Sequence, residues 1–568
     1  MIKLIPQPKK IKFNSGKFMH KGIKPLCYSS DLRINKALKN LPIIKEGANL
    51  SIEITGGESE KYTLKLENEE IIIKAENVKG VFYGIQTLRQ IFKNEDIPNL
   101  SIEDEPDFCY RGFYHDVSRG KIPTVETLKS LIDKMAYFKL NSLQLYVEHT
   151  FEFKEYEDII KRTGYLTKEE IKELDDYCYD NFIEFVPSVS TFGHLYELLE
   201  SEKYKELCVI ENFKKEEHLW LNRMKHHTID PLNPESIKVI ESIITQYIPH
   251  FKTDKFNICC DETFDLQNYK KSEIDVGKTY VDFVKKIISI LRDKNKRVMM
   301  WADILLKYPE VIDELPKDIY LLNWWYDKDV REKDIESISK SGRNQIVCPG
   351  TTTWSRFSED TDISKENISK MAEYGYKHGA VGVLNTNWGD YGNPCSLELS
   401  MYSLVLGAEK SWSVNTVADR NFDKKVNLLL YDNENGVKIL EKLNDMHRKI
   451  CFGTLVRNYS DILFERSPQE EYADLEAIRE VQKSYIEIKE QLYKEKWQND
   501  EFREEFLISA EALCVIAELM AKIQKFKLSR VTDTEKWLLK YKEKWINKNK
   551  ENELGNIEEI IRYFEGEF

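Results

Sequence analysis

Residues 111–146 read RGFYHDVSRGKIPTVETLKSLIDKMAYFKLNSLQLY. Arg111–Val117 and Ser142–Glu148 have the length and apolar content of strands. Between them Val125, Leu128, Leu131, Ile132 and Met135 recur with helical spacing and line one face. A strand, an amphipathic helix and a second strand make a βα unit with parallel strands. The alternation continues along the chain. Glu184–Ser190, Phe256–Asp261, Val298–Asp303, Tyr320–Trp325, Gln345–Thr351 and Val381–Trp388 bring the strand candidates to eight. Eight such units predict a (β/α)8 barrel, an α/β fold. An open doubly wound sheet is disfavoured because no glycine-rich phosphate loop follows any of these strands.

Working outward, residues 1–106 form a separate small α/β domain. Leu50–Ile54, Tyr62–Leu66 and Ile71–Ala75 read as strands. Gly80–Phe92 reads as a helix, with Gly80 and Gly84 where close packing is expected. The acidic run Glu103–Asp107 is the linker. Residues 107–415 hold the barrel. In 416–568 the strands stop, and Val437–Cys451, Tyr472–Trp497 and Glu501–Phe526 read as long helices. That region packs on the barrel or forms a homodimer.

The 568-residue chain carries 84 Lys+Arg against 97 Asp+Glu, a net charge of −13. An acidic balance argues against a nucleic-acid partner, which needs a basic face, and against anionic membrane surfaces. No apolar run of membrane-spanning length occurs, and residues 1–16 lack the pattern of an export signal. The ten cysteines are scattered without a CxxC, so free thiols and a cytoplasmic location are expected.

Barrel active sites lie at the C-terminal ends of the strands. These ends deliver Asp116, Glu148 and His149, then Gly193 and His194 after strand three, and Asp261-Glu262 after strand four. Strands five to eight deliver Trp301 and Asp303; Trp324, Trp325, Tyr326 and Asp327; Trp354; and Trp388, Asp390 and Tyr391. Four ends carry tryptophan in a chain with only ten. Indole faces suit the C–H faces of a sugar ring, with carboxylates for its hydroxyls. Two adjacent carboxyl groups raise one pKa and keep a proton available for a leaving group. A solvated loop start is the bland reading of Asp261-Glu262, and core packing that of any one tryptophan.

The segment 111–146, VPSVSTFGH on strand three and FNICCDETFDL on strand four together resemble glycoside hydrolase family 20, the β-N-acetylhexosaminidases. GVFYGIQTLRQIF resembles the small zincin-like domain that precedes that barrel; without HExxH it implies no zinc. The resemblance implies an exo-acting, retaining hydrolase that removes terminal β-linked GlcNAc or GalNAc without cofactor or metal. The substrate's own 2-acetamido oxygen attacks the anomeric carbon, and family 20 departs in this way from the two-carboxylate scheme. By position, Glu262 is implied as general acid/base and Asp261 as the group that orients the acetamido N–H. Arg111 is implied to hold the O3 and O4 hydroxyls, Trp388 to lie under the ring, and Asp390 to bind O4 and O6. Trp301 and Trp324 would wall the acetamido pocket, and His194 would tune the site.

The chain departs from the family in two places. The His- and Asp-rich motif of strand two is replaced by Gln144, Tyr146 and His149. Trp354 falls near the tyrosine expected after strand seven, and Tyr391 is the substitute hydroxyl. An exo-β-glucosaminidase or disaccharide-releasing enzyme, and a sugar-binding barrel that has lost catalysis, are the alternatives. A metal hydrolase is disfavoured because no regular ligand spacing joins Cys259, Cys260, His149 and His194.

Overall fold

The computed structural model describes residues 2–566 apart from 20–21, 27–28, 45, 212–214, 226, 270–272, 418–419 and the side chains of 161–163. The N-terminal domain is a six-stranded sheet. Its strands are β1 (Lys10–Lys17), β2 (Ile23–Pro25), β3 (Ala48–Ile54), β4 (Tyr62–Glu67), β5 (Glu70–Ala75) and β6 (Pro98–Asp104), ordered β1-β6-β4-β5-β3-β2. The helix Val78–Ile91 lies across it, capped by Asn77, whose side chain accepts from the Lys79 and Gly80 N–H groups. A Cβ on Gly80 would stand 2.7 Å from the Lys61 carbonyl, and one on Gly84 2.9 Å from Ile73 Cγ2. Those two glycines therefore set how closely helix and sheet approach.

Eight parallel strands then close a barrel: β7 (Tyr110–Asp116), β8 (Ser142–Val147), β9 (Glu184–Val189), β10 (Lys255–Asn257), β11 (Arg297–Trp301), β12 (Tyr320–Trp324), β13 (Asn344–Cys348) and β14 (Gly382–Asn387). The seam is β14 on β7, with Gly382 opposite Tyr110 and Asn387 opposite His115. Each strand falls where its apolar run places it. β10 is the one that stops well short, at Asn257 rather than Asp261. Cys259, Cys260 and Glu262 beyond it have φ of +58°, +65° and +49°, a left-handed backbone that cannot continue a ladder. The helix Val125–Tyr137 buries Leu128, Leu131, Ile132 and Met135 on the face the spacing indicates, and Thr124 caps it.

Beyond the barrel the elements are helical. Gly436–Lys449, Leu475–Lys494 and Asp500–Ile523 correspond to the three expected helices; Phe452–Leu463, Thr534–Lys548 and Leu554–Glu565 are additional. Among the described residues no helix is long and apolar enough to cross a membrane. Nine cysteines are unpaired, Cys109 and Cys451 exposed and the others buried; Cys27 lies outside the described residues.

Candidate active site

At the C-terminal face of the barrel a cavity of about 320 Å³ is lined by Arg119, His194, Asp261, Glu262 and a group of aromatic rings. It brings together eleven residues named at strand ends in the sequence: His194, Asp261, Glu262, Trp301, Trp324, Trp325, Tyr326, Asp327, Trp354, Trp388 and Asp390.

The acidic pair sits on the left-handed turn after β10. The turn is held from several sides. Asn257 Oδ1 accepts the Cys259 N–H at 2.9 Å, Tyr280 donates its hydroxyl to the Cys260 carbonyl at 2.8 Å, and Asp303 Oδ2 accepts the Glu262 N–H at 3.0 Å. Non-glycine residues in this backbone region cost energy that the surroundings must supply, a pattern concentrated at functional sites. His194, itself at φ +57°, aims Nε2 between the two carboxylates, 3.2 Å from Asp261 Oδ2 and 3.4 Å from Glu262 Oε2. Burial works against a charged ring, but the Asp261 charge and the bonds to both carboxylates outweigh it. The imidazole pKa is pushed up to about 10.

Asp303 is raised to about 8, chiefly by burial and then by the Asp261 charge. Both causes favour a protonated Asp303 carboxyl beside the acidic pair. Asp261 is buried, and its Oδ1 has no hydrogen-bond partner among the described residues; nor has the indole N–H of Trp301. Both residues line the cavity. A buried acceptor and a buried donor left open at one wall fit a ligand that carries an N–H and a carbonyl, because such groups are costly unmet. His194, Asp261 and Glu262 also place one ligand atom each within 4.8 Å of one another, a set that could coordinate a divalent ion.

The aromatic wall is continuous. Trp301 and Trp388 have ring centroids 6.1 Å apart, Tyr114 lies 5.3 Å and 5.2 Å from them, and Tyr146 lies 5.0 Å from Trp388. Tyr326 stacks on Trp324 at 5.1 Å, lies 5.4 Å from Trp354, and its hydroxyl accepts the Trp388 indole N–H at 2.7 Å.

Two sequence assignments are corrected. Arg111 begins β7, so it lies at the N-terminal end of the barrel, away from the cavity. Its guanidinium is buried against Glu60 of the N-terminal domain at 2.8 Å and donates to the Tyr83 hydroxyl and to the carbonyls of Phe108 and Lys139. The arginine at the site is Arg119, three residues past the end of the same strand. Its Nη2 is 3.2 Å from Glu148 Oε1 and 3.3 Å from His194 Nδ1, and its guanidinium lies over the rings of Tyr146 and Trp388. Tyr391 likewise does not join the site. It turns toward the helix Phe452–Leu463, where Arg457 covers its ring and Gly453 lies below it. Tyr326 brings a hydroxyl to the cavity instead.

Glu148 was the other residue without a role. The Tyr146 hydroxyl donates to it at 2.9 Å, and it links Arg119 to His194, 3.7 Å from His194 Nδ1. His149, named with it at the end of strand two, is buried with its pKa lowered by desolvation, and it does not line the cavity. Asp116 ties the seam: its carboxylate accepts the Ser118, Arg119 and Gly389 N–H groups. Asp390, just past Gly389, is pushed up to about 7 by burial, against the pull of Arg119.

Residues 108–426 match the family model described as glycosyl hydrolase family 20, catalytic domain, and residues 1–105 match domain 2 of the same family. A beta-hexosaminidase of Porphyromonas gingivalis is 24% identical over 360 residues, covering 54% of this chain and 46% of that protein. A lacto-N-biosidase of Bifidobacterium bifidum is 23% identical over 327 residues, covering 54% and 26%. The match thus spans less than half the length of these two relatives. The X-ray structure of Flavobacterium johnsoniae chitobiase is alike in fold over 99% of both chains, at 18% identity and a TM-score of 0.62.

Proposed function

Because the chain belongs to glycosyl hydrolase family 20, we propose that it is an exo-acting β-N-acetylhexosaminidase working by substrate assistance. The observation that carries this reading is the open Oδ1 of buried Asp261 beside Glu262, in a cavity walled by Trp301, Trp324, Trp354 and Trp388. In this reading the 2-acetamido N–H donates to Asp261 and its carbonyl oxygen attacks the anomeric carbon, which becomes bonded in an oxazolinium ring. Glu262 gives its proton to the departing glycosidic oxygen. It then takes a proton from the water that reopens the ring, with net retention.

His194 holds both carboxylates at the distance the two steps need, and Glu148 and Arg119 hold His194. Arg119 takes the sugar-hydroxyl role expected of Arg111, with Asp390 beside it and Trp388 as the platform. Tyr326 offers the hydroxyl expected of Tyr391. No protein nucleophile is required, and preorganised charge around the acetamido group supplies much of the catalysis. A cytoplasmic location belongs to the same reading and rests on the nine unpaired cysteines.

The test is hydrolysis of aryl β-glycosides of GlcNAc, GalNAc, glucosamine, glucose and galactose. Turnover confined to the two N-acetylated sugars, with strong inhibition by a thiazoline mimic of the intermediate, is expected. Preference for glucosamine would favour the exo-β-glucosaminidase alternative. A glycosylated carboxylate found by mass spectrometry would overturn substrate assistance.

A further inference from the structure

The catalytic-domain match ends at residue 426, yet a residue far beyond it braces loops that carry cavity residues. Glu553 stands just before the helix Leu554–Glu565 and is buried. Its two oxygens accept from both Nη atoms of Arg223, at 2.6 Å and 2.9 Å, and Oε2 also accepts the Trp220 indole N–H at 2.9 Å. Arg223 is itself buried and is shared with Glu197 at 2.9 Å. The next residue, Met224, lines the cavity.

The same carboxylate reaches one of the two loops that meet at the barrel seam, and Trp220, which it holds, packs on the other. A Cβ on Gly120 would stand 3.1 Å from Glu553 Oε2 and 3.0 Å from Gly392 Cα; a Cβ on Gly392 would stand 2.4 Å from the Trp220 ring. Both glycines are left-handed, at φ +97° and +74°, and leave no room for a side chain. Gly120 follows Arg119 directly, and Gly392 is two residues past Asp390. The approach is reinforced upstream. Thr124 N–H donates to the Lys548 carbonyl and Lys550 N–H to the Ile122 carbonyl, so residues 548–550 run as a strap along the loop after Arg119. Two loops thus meet one carboxylate supplied by the C-terminal helices, and the third, bearing Gly392, packs on the Trp220 ring and on Gly120.

Resting on the proposed function, we infer that Glu553 is a positioning residue for the sugar clamp: it fixes the spacing of Arg119 and Asp390 by tying their loops to Trp220 and Arg223. It touches no substrate and acts through the backbone of Gly120 and Gly392. The C-terminal helices are then part of the active-site construction.

The experiment is a double-mutant cycle in the full chain, with kcat and KM measured on an aryl β-GlcNAc and a thermal melt for every variant. Glu553→Gln, close in shape, should lower kcat/KM at least tenfold, mainly through KM, while the protein remains folded at the assay temperature. Arg119→Lys should then cost less in the Glu553→Gln background than in the wild type, because the clamp is already misaligned; coupled residues depart from additivity in this way. A merely structural Glu553 would lower the melting temperature, leave KM unchanged and give additive losses, and that result would overturn the inference. Should Glu553→Gln not fold, Glu553→Asp, which keeps the charge and withdraws it by one methylene, is read by the same criteria. A wild type inactive on the whole aryl glycoside panel would overturn the functional reading and this inference with it; an active wild type with additive losses would overturn this inference alone.

Discussion

Glu262 and Asp261 are adjacent in sequence and unlike in surroundings. The Glu262 side chain is 23% exposed and reaches the cavity, whereas that of Asp261 is 9% exposed with one oxygen open. In the proposed mechanism the first moves a proton and the second only orients and balances charge. Glu262→Gln should therefore lose about 10²–10⁴-fold in kcat/KM, which reads the cleavage step alone, on a substrate with a poor leaving group, and much less with a leaving group that needs no proton. A uniform loss across leaving groups would remove Glu262 from the acid role.

The two arginines of RGFYHDVSRG offer a sharper contrast at the same scale. Arg119→Ala strips the clamp and leaves Glu148 with only the more distant His194 as charge partner, so kcat/KM should fall by a factor of about 30–150, roughly 2–3 kcal/mol. Arg111→Ala leaves Glu60 with only the more distant Lys79, at 3.9 Å, at the domain junction, and the melting temperature should fall while the folded enzyme keeps its kcat/KM. Kinetics and melts on both variants decide which arginine serves the sugar. The sequence held the information for this choice. Arg111 opens its strand, and a residue at the N-terminal end of a barrel strand stands at the wrong end for catalysis. Arg119 stands past the other end. Choosing by motif resemblance overrode a rule that geometry would have enforced.

At the scale of elements, periodicity was enough to locate all eight barrel strands, because each is a short apolar run between amphipathic helices. It could not show where β10 ends. FNICC is apolar apart from Asn257, and nothing in it announces that Cys259 and Cys260 turn left-handed; the bonds from Asn257, Tyr280 and Asp303 decide that. Tyr391 failed for a related reason. Adjacent residues in a loop point in unrelated directions, so nearness to Asp390 in sequence did not place its ring in the cavity. The two glycines of the N-terminal helix were legible as close-packing positions, and they support a quantitative test. Gly80→Ala gains about 0.5–1 kcal/mol of helix propensity but drives a methyl group against the Lys61 carbonyl. Overpacking costs about 1–3 kcal/mol, and a backbone carbonyl in a packed sheet cannot step aside cheaply. A net loss of about 1–2 kcal/mol in denaturant unfolding of the N-terminal domain is expected, and a more stable variant would show that the helix can shift.

Over the whole molecule, the buried ionisable groups set how stability follows pH. Burial raises Glu359 to about 8, Asp303 to about 8 and Asp390 to about 7, while His194 is raised to about 10 by its carboxylates against its burial. A group raised on folding contributes stability that is complete below its unfolded pKa and is lost as pH climbs through the folded value. The carboxyl contributions therefore drain away between about pH 4 and 8, and that of His194 between about 6.5 and 10. Histidines lowered by burial oppose them on the acid side, His149 and His447 among them. His115 and His218 are lowered by burial to about 3 and about 4, so their stability is full above about 6.5 and falls as pH drops. The melting temperature should be highest near pH 5–6 and decline toward pH 9. Glu359 separates this cause from general alkaline damage, because it lies outside the cavity, fully buried, and accepts the Tyr402 and Ser403 N–H groups at 3.0 Å and 2.8 Å. Glu359→Gln removes the proton that must leave, keeps one of the two acceptor oxygens and sets an NH2 group against the other amide, a loss that does not vary with pH. Its melting temperature should fall less steeply than that of the wild type between pH 6 and 9, whatever its value at pH 5. Parallel curves would mean that Glu359 is ionised in the folded protein as it is in the unfolded chain, its anion stabilised by those two amides, and the alkaline decline would then belong to the groups around His194.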